Sequence, residues 1–350
     1  MPKRAGHLWE RMVTLENCIN AELVMCRNKR NHRKVRLIKE NTEEYGAILY
    51  EKLSKGEYTF HKPREADINE SYKGKARHLK IPCLEDQAAM QAWLNIATPY
   101  IVRRNYYYNC GSIPNAGQDR AVKGLKRKLA GRKAPRYAVT TDIRKFYETC
   151  PHSAVIAGLR RIFKDERFID FARRIMESMS GDGIGLAIGY PVSHWFANVA
   201  LMSIDHDMAR LFPDVWHVRY MDDTVFVGNN KRHLRKAFLY YAARVRELGM
   251  EIKPNWQLFP IRCRGITFLS YRFFHGYTLM VKALMVRIAR KMRAAAKGLT
   301  PHRAMGVMSY MRILKYCNSR HFFETRVLPF VRPKQCRRVI SNANVLRLTA

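Results

Sequence analysis

The sequence has few acidic residues, no paired cysteine motif and no long apolar run. Asp and Glu number 29 against 64 Lys and Arg, which leaves a formal charge of +35 over 350 residues. Such an excess favours a polyanionic partner, because binding releases the counterions condensed on that partner. Ribosomal and chromatin proteins share this balance, and an anionic membrane surface would attract it too. Charge therefore indicates nucleic acid and says nothing about chemistry.

The lack of paired cysteines and of long apolar runs bears on the cellular compartment of the protein. The eight cysteines form no C-x-x-C pair and show no zinc-ligand spacing, so we expect reduced thiols. No window reaches the ~20 apolar residues of a membrane span, and the N-terminal residues lack the apolar run of a secretory signal. These patterns predict a soluble, cytoplasmic protein with no membrane partner. Hydrophobic residues make up 47% of the chain, enough for a folded core in two or three lobes.

Hydrophobic periodicity predicts an α+β fold. An apolar period of three to four residues predicts helices over 8–28, 41–54, 84–102, 153–179 and 191–211. Alternation within 58–82 and short apolar runs at 137–143, 216–220 and 224–227 predict strands. Residues 111–135, rich in Gly, Pro, Lys and Arg, fit a solvated face or a template-contacting surface equally well. This order predicts a sheet with helices behind it.

A last amphipathic helix is expected near 284–297. Its apolar face would carry Met285, Ile288, Met292 and Ala295. Basic residues cover much of the other face, and we expect Arg287, Arg290 and Lys291 to contact a template–primer backbone.

The most specific local pattern is Tyr-Met-Asp-Asp at 220–223, between two apolar strands. Turns often carry Asp, so an Asp-Asp turn by itself marks only a hairpin. Here the strands would hold Asp222 and Asp223 at a sheet end, where two anions repel each other unless cations lie beside them. The strand at 137–143 supplies a third carboxylate, Asp142. Three carboxylates from neighbouring strands can hold two Mg²⁺ ions about 3.5–4 Å apart for in-line phosphoryl transfer.

With these residues the chain resembles the reverse transcriptases, for which Tyr-Met-Asp-Asp is a well-known signature, over roughly residues 60–320. The resemblance implies a right-hand polymerase with fingers, an antiparallel-sheet palm and a helical thumb. It implies that Asp142, Asp222 and Asp223 are catalytic and bind two Mg²⁺ ions, with Mn²⁺ as an alternative. The backbone carbonyl of Ile143 would bind one of the ions.

The resemblance also implies a nucleotide site. Lys75 and Arg77 would meet the triphosphate, Arg as a fork and Lys as a point charge. Tyr147, next to Phe146, occupies the place of an aromatic that blocks a ribose 2′-hydroxyl, although the residue alone fits an ordinary core position equally well. Lys253 would protonate the departing pyrophosphate. Residues 265–271 resemble the primer grip, except that Ser270 stands where the family usually has Gly.

Residues 188–193 read Ile-Gly-x-x-x-Ser, which resembles the reverse transcriptases of diversity-generating retroelements. These enzymes copy RNA with errors at adenines, and Ile188 and Gly189 would form the floor of the base pocket. An aliphatic side chain there removes a hydrogen-bonding contact, so mispairs would be penalised less. Packing alone could also explain Ile188. This subfamily implies two partners, a small basic pentameric accessory protein and a structured retroelement RNA.

Other interpretations stay open. His194 stands where that subfamily has Gln, and a phage-defence reverse transcriptase is the main alternative. A non-catalytic RNA-binding protein of the same fold would have lost metal carboxylates, and all three are present.

We expect a bacterial or phage protein with an N-terminal helical, basic region at 1–60, fingers at 61–135, a palm at 136–275 and a thumb with a basic tail at 276–350. Its substrates would be dNTPs and an RNA template, with an RNA/DNA duplex as product.

Overall fold

Helices make up most of the computed structural model, which describes residues 3–27, 29, 32–70 and 75–348. The helices in this part are α1 (Leu8–Met12), α2 (Leu15–Met25), α3 (Arg33–Glu40), α4 (Thr42–Ser54), α5 (Leu84–Arg104), α6 (Gly117–Leu129), α7 (Phe146–Thr149), α8 (His152–Ile162), α9 (Glu166–Met179), α10 (Ser193–Leu211), α11 (Lys231–Glu247), α12 (Ile261–Arg264), α13 (Lys282–Ala296), α14 (Pro301–Leu314), α15 (Arg320–Arg326) and α16 (Pro333–Leu348). The strands are β1 (Arg64–Glu70), β2 (Lys75–Ile81), β3 (Tyr137–Asp142), β4 (Trp216–Tyr220), β5 (Asp223–Gly228), β6 (Gln257–Pro260), β7 (Ile266–Phe268), β8 (Tyr271–Phe273) and β9 (Thr278–Met280).

A four-stranded antiparallel sheet, in the order β4-β5-β3-β6, lies at the centre. Its strands are rich in β-branched and aromatic residues, which suit a pleated, buried surface. Between β3 and β5 the register pairs Val139 with Phe226 and Asp142 with Asp223. The end of β3 and the start of β5 therefore meet at one sheet edge.

Helix α11 packs on β3 and β5, and α10 is joined to β4 through Asp205 and Arg219, with α8 packed against α10. On α11, Phe238 and Tyr241 are buried against Phe226 of β5, with the Tyr241 and Phe226 ring centroids 5.0 Å apart. Burial of such side chains stabilises a fold by roughly 1.5–3 kcal/mol each. The central strands are thus packed on a helical layer, and their end remains available for a site.

The helix expected over 8–28 is two helices, and that prediction of one helix is wrong. The chain turns at Val13, and the Thr14 hydroxyl accepts a hydrogen bond from the Asn17 backbone N–H at the start of α2. An N-cap of this kind begins a new helix even where the apolar period continues.

The single helix expected over 153–179 is wrong for the same reason. Asp165 ends the extended stretch after α8, and its carboxylate accepts from the Phe168 N–H at the start of α9. Its other oxygen accepts from the Leu8 and Trp9 N–H groups, at 2.7 and 2.9 Å. One carboxylate therefore caps two helix N-termini, where negative charge is favoured.

Residues 111–135 contain a helix that the sequence analysis did not predict. In α6 the buried side chains include Ala121, Val122, Leu125 and Leu129, while its lysines and arginines face outward. Because the apolar stripe of α6 is narrow and its charged residues are numerous, the helical period is hard to recognise in the sequence.

The chain ends in a small antiparallel sheet, β7-β8-β9, followed by helices α13 to α16. Tyr271 pairs with Met280, so this sheet spans the expected boundary at residue 275. The buried face of α13 carries Leu284, Ile288, Met292 and Ala295, whereas Met285 is only half-buried. Among the described helices, none has both the length and the apolarity of a membrane span.

Candidate active site

The β4–β5 hairpin and the end of β3 bring the three carboxylates together. Asp142 closes β3 and pairs with Asp223, the first residue of β5. Met221 and Asp222 form the two-residue turn of the hairpin. The Ile143 N–H lies 3.4 Å from the Asp222 carbonyl, which ties the segment after β3 to the turn. The predicted metal-binding residues are thus neighbours in space.

The turn adopts a backbone conformation that needs support. Met221 has φ = +59°, in the left-handed region that residues other than Gly seldom occupy. Gly111 packs directly behind it, and a Cβ added at Gly111 would lie 2.6 Å from the Met221 nitrogen. Glycine is therefore required at position 111 if the turn is to keep this shape.

The carboxylates destabilise one another's charged forms. Burial, together with Asp222 and Asp142, raises the pKa of Asp223 to about 8. Burial and then Asp142 raise the pKa of Asp222 as well. Lys253 contacts the cluster, with Nζ 2.6 Å from Asp142 Oδ2 and its backbone N–H donating to the Asp142 carbonyl. Crowded acids of this kind are relieved by divalent cations.

The donor set suits a hard cation. The Oδ1 atom of Asp142 is buried and has no hydrogen-bond partner among the described residues. Carboxylate and carbonyl oxygens are the ligands that Mg²⁺ and Mn²⁺ prefer. Asp142, Asp222, Asp223 and the Ile143 carbonyl therefore fit the ions that the sequence analysis expected.

The predicted nucleotide pocket borders this edge. The Lys80 N–H of β2 donates to the Ile188 carbonyl at 2.9 Å. Gly189 has φ = +118°, and a Cβ there would lie 2.4 Å from the Lys80 carbonyl oxygen. The Leu186 N–H donates to the Tyr147 carbonyl at 2.6 Å. Strand β2 is therefore joined to the 186–189 segment, which is joined in turn to the segment after Asp142.

The predicted pocket side chains differ in exposure. Phe146 is buried in the core, whereas Tyr147 is half-buried. Burial and then Asp222 raise the pKa of Tyr147, and Arg77 acts in the opposite direction, so these three side chains share one neighbourhood. The Lys75 side chain lies outside the described part of the chain. The nucleotide-binding roles stay predictions.

The segment after the pocket is fixed at the start of α10. The Ser193 hydroxyl donates to the Ala187 carbonyl at 2.6 Å. His194, the next residue, is half-buried, and burial lowers its pKa. The Ile188–Gly189 backbone is thus held from both sides, by β2 and by α10.

Two further predicted regions lie away from the carboxylates in sequence. Ser270 has φ = +70°, a conformation that glycine adopts freely, which gives a physical reason for a family preference for Gly there. On α13, Arg290 and Lys291 are exposed and Arg287 is half-buried. Their contact with a template–primer duplex stays a prediction.

A buried polar network lies beneath the turn and was not predicted from the sequence. Arg219 is fully buried in β4 and pairs with Asp205 of α10, and it also bonds to Asn198 and to the Met221 carbonyl. The sequence feature that indicates this network is Arg219, a basic residue within the apolar strand that leads into the Asp-Asp turn.

Comparison with known proteins identifies the family. The YkfC protein of Escherichia coli K12 is 23% identical over 252 residues, which cover 69% of this chain and 60% of that protein, so the chain spans well under two thirds of this curated relative. The telomerase of Candida tropicalis, solved with a fragment of telomeric RNA, is 11% identical with a TM-score of 0.50, covering 81% of this chain and 60% of that one. The Candida albicans telomerase is 9% identical with a TM-score of 0.47, covering 75% and 54%. The first telomerase likeness concerns the fold alone, and it agrees with the predicted α+β polymerase fold. Residues 67–273, more than half of the chain, match the family model "Reverse transcriptase (RNA-dependent DNA polymerase)", and the protein therefore belongs to the reverse transcriptase family.

Proposed function

We propose that this protein copies an RNA template into cDNA by two-metal nucleotidyl transfer. The supporting observation is the convergence of Asp142, Asp222 and Asp223 at one sheet edge, with a buried oxygen of Asp142 left without a partner among the described residues. Two Mg²⁺ ions bound there would activate the primer hydroxyl and stabilise charge on the triphosphate.

The protein residues would position the substrate around that cluster. Arg77, with Lys75, would hold phosphate oxygens. Tyr147 would exclude a ribose 2′-hydroxyl, because its half-buried ring lies in the neighbourhood of Asp222. Lys253 would leave Asp142 when cations bind, and its ammonium would then be free to protonate the leaving pyrophosphate.

Primer extension on a defined RNA tests the proposal. Asp142→Asn should abolish synthesis and leave RNA affinity unchanged, because the substitution removes a ligand and keeps the shape. Asp214→Asn, a surface carboxylate near His233, is the matched control and should retain activity. Full activity in Asp142→Asn, or none in the wild type with Mg²⁺ or Mn²⁺, would contradict the proposal. The second outcome would favour a non-catalytic RNA-binding protein.

We further propose error-prone synthesis at template adenines, as in diversity-generating retroelements. Ile188 is half-buried beside Gly189, and its aliphatic side chain offers the nascent base pair no hydrogen bond. The partners in that case are a structured retroelement RNA and a small basic oligomeric accessory protein. Sequencing cDNA from wild type and Ile188→Gln, with these partners present, should show adenine errors in the first and fewer in the second. Equal fidelity at all four bases would favour the phage-defence alternative, which the His194 departure leaves open.

A further inference from the structure

We propose that Arg219 is a positioning residue that sets the affinity of the carboxylate turn for divalent cations. The inference rests on the proposed function, because it concerns the same cluster. Arg219 lies in β4, three residues before Asp222, and its side chain is 0% exposed. A guanidinium in such a place is costly unless its charge and all its donors are matched.

The charge is matched by one carboxylate. Nε of Arg219 lies 3.0 Å from both oxygens of Asp205, and Nη2 lies 2.5 Å from Oδ2. Asp205 is 1% exposed and belongs to α10, so this pair joins the helical layer to the sheet. A two-point contact fixes the guanidinium plane as well as its position.

The remaining nitrogen of the guanidinium reaches the turn. Nη1 donates to the Met221 carbonyl at 3.0 Å and to Asn198 Oδ1 at 3.1 Å. The Asn198 amide in turn donates to the Gly111 carbonyl at 2.8 Å. One cation therefore connects α10, the turn and the segment that packs behind the turn.

The Met221 carbonyl belongs to the peptide unit that precedes Asp222. A left-handed residue such as Met221 persists only where its surroundings over-determine it. The crowded carboxylates push the turn apart, and rotation of this peptide would move Asp222 away from Asp142. The hydrogen bond from Arg219 opposes that rotation, so the turn stays closed before any cation binds.

Stability alone does not explain the pair. A buried ion pair contributes little net stability, since an apolar pair of similar volume is often as stable or more so. An apolar pair would supply no donor to Met221. The specific contribution of Arg219 is therefore the geometry of the turn.

The test replaces the pair by apolar residues, in Arg219→Met with Asp205→Leu. Mn²⁺ binding is measured by electron paramagnetic resonance without nucleotide, beside the metal-free melting temperature, RNA affinity and primer extension. We expect a melting temperature near that of the wild type, unchanged RNA affinity, and Mn²⁺ affinity reduced roughly 10–100-fold, as for other groups that orient metal ligands. His217→Phe is the control, because His217 lies 3.8 Å from Asp205 and does not hydrogen-bond to the turn. It should bind Mn²⁺ normally.

Arg219→Lys provides a second variant if the double variant melts early. Lys keeps the charge beside Asp205 but cannot reach Asp205, Asn198 and Met221 together, so it should also weaken Mn²⁺ binding. Wild-type Mn²⁺ affinity in either folded variant would overturn the role of Arg219 and leave the proposed polymerase intact. A wild type that neither binds Mn²⁺ nor extends a primer would instead refute the proposed function.

Discussion

Asp86, at the start of α5, and Asp142, at the end of β3, both lie beside other groups that can bind metal ions. Around Asp86, the donor atoms of His61, Cys83 and the carboxylate lie within 4.8 Å of one another. Around Asp142, the neighbours are Asp222 and Asp223. By donor type alone, the first cluster suits zinc and the second suits Mg²⁺.

The two clusters differ in how their hydrogen bonds are satisfied. Asp86 accepts from the Tyr58 hydroxyl at 2.8 Å and from the His61 backbone N–H at 3.0 Å, and its own N–H donates to Cys83 Sγ as a helix cap. Asp142 has a buried oxygen with no partner among the described residues. A satisfied cluster stabilises the fold, whereas an unsatisfied, repelling one is prepared for a ligand. Ligand type alone does not distinguish them.

The comparison predicts opposite effects of removing one charge. Asp222→Asn should lower primer extension by on the order of 10³-fold, since it removes cation binding worth several kcal/mol. It should leave the metal-free melting temperature unchanged or higher, because a repelling carboxylate is gone. Asp86→Ala should instead lower the free energy of unfolding by about 3 kcal/mol, because it leaves buried donors unpaired.

Thermal melts and Mn²⁺ titration measure both variants side by side. Asp86→Ala should bind Mn²⁺ with wild-type affinity, because Asp86 lies outside the carboxylate cluster. A lower metal-free melting temperature in Asp222→Asn than in Asp86→Ala would contradict this prediction.

His217 is a buried group to which we assign no ligand, although neither ring nitrogen has a hydrogen-bond partner among the described residues. Its ring stacks on Tyr106 at 4.3 Å, and burial lowers its pKa to about 4, with Arg219 and His206 acting in the same direction and Asp205 against it. The folded state keeps the ring neutral, while the unfolded chain takes up a proton below its ordinary pKa of 6.5. The stability from His217 is therefore complete above that value and falls by roughly 3 kcal/mol as the pH drops towards 4.

Denaturant unfolding at several pH values checks this contribution. The loss of stability on acidification should be smaller in His217→Phe than in the wild type. Equal slopes for both proteins would show that His217 does not titrate in this way.

The predictable part of the site was local. The strand ends and the carboxylates at Asp142, Asp222 and Asp223 follow from short apolar runs and one motif. The partners of the turn could not be predicted, because Arg219 meets Asp205 of another element and Gly111 meets Met221 from more than a hundred residues away. The breaks in the helices expected at 8–28 and 153–179 were missed because a single N-cap, Thr14 or Asp165, begins a new helix without changing the apolar period.

Gly111 tests whether the turn depends on close packing from behind. A Cβ at this position would meet the Met221 backbone at 2.6 Å, so something must move. Gly111→Ala should therefore lower the free energy of unfolding by about 1–3 kcal/mol and weaken Mn²⁺ binding. Gly181→Ala is the matched control, since a Cβ there would have no atom of the described residues within 4 Å. Unchanged Mn²⁺ affinity in Gly111→Ala would show that the turn adapts.

The last expected effect concerns protons in the carboxylate cluster. Burial and neighbouring acids raise the pKa of Asp223 from 3.8 to about 8, so the metal-free folded state binds a proton that the unfolded chain has lost. The stability of the metal-free protein should therefore decrease as the pH rises between these values, opposite in sign to the effect of His217.

Cation binding requires the ionised carboxylate, so Mn²⁺ affinity should rise with pH, up to roughly tenfold per pH unit below about 8. Calorimetry in two buffers of different ionisation enthalpy should detect about one proton released per cluster. Asp223→Asn should release none. Proton release that persists in this variant would assign the released proton to Asp222, whose pKa is also raised.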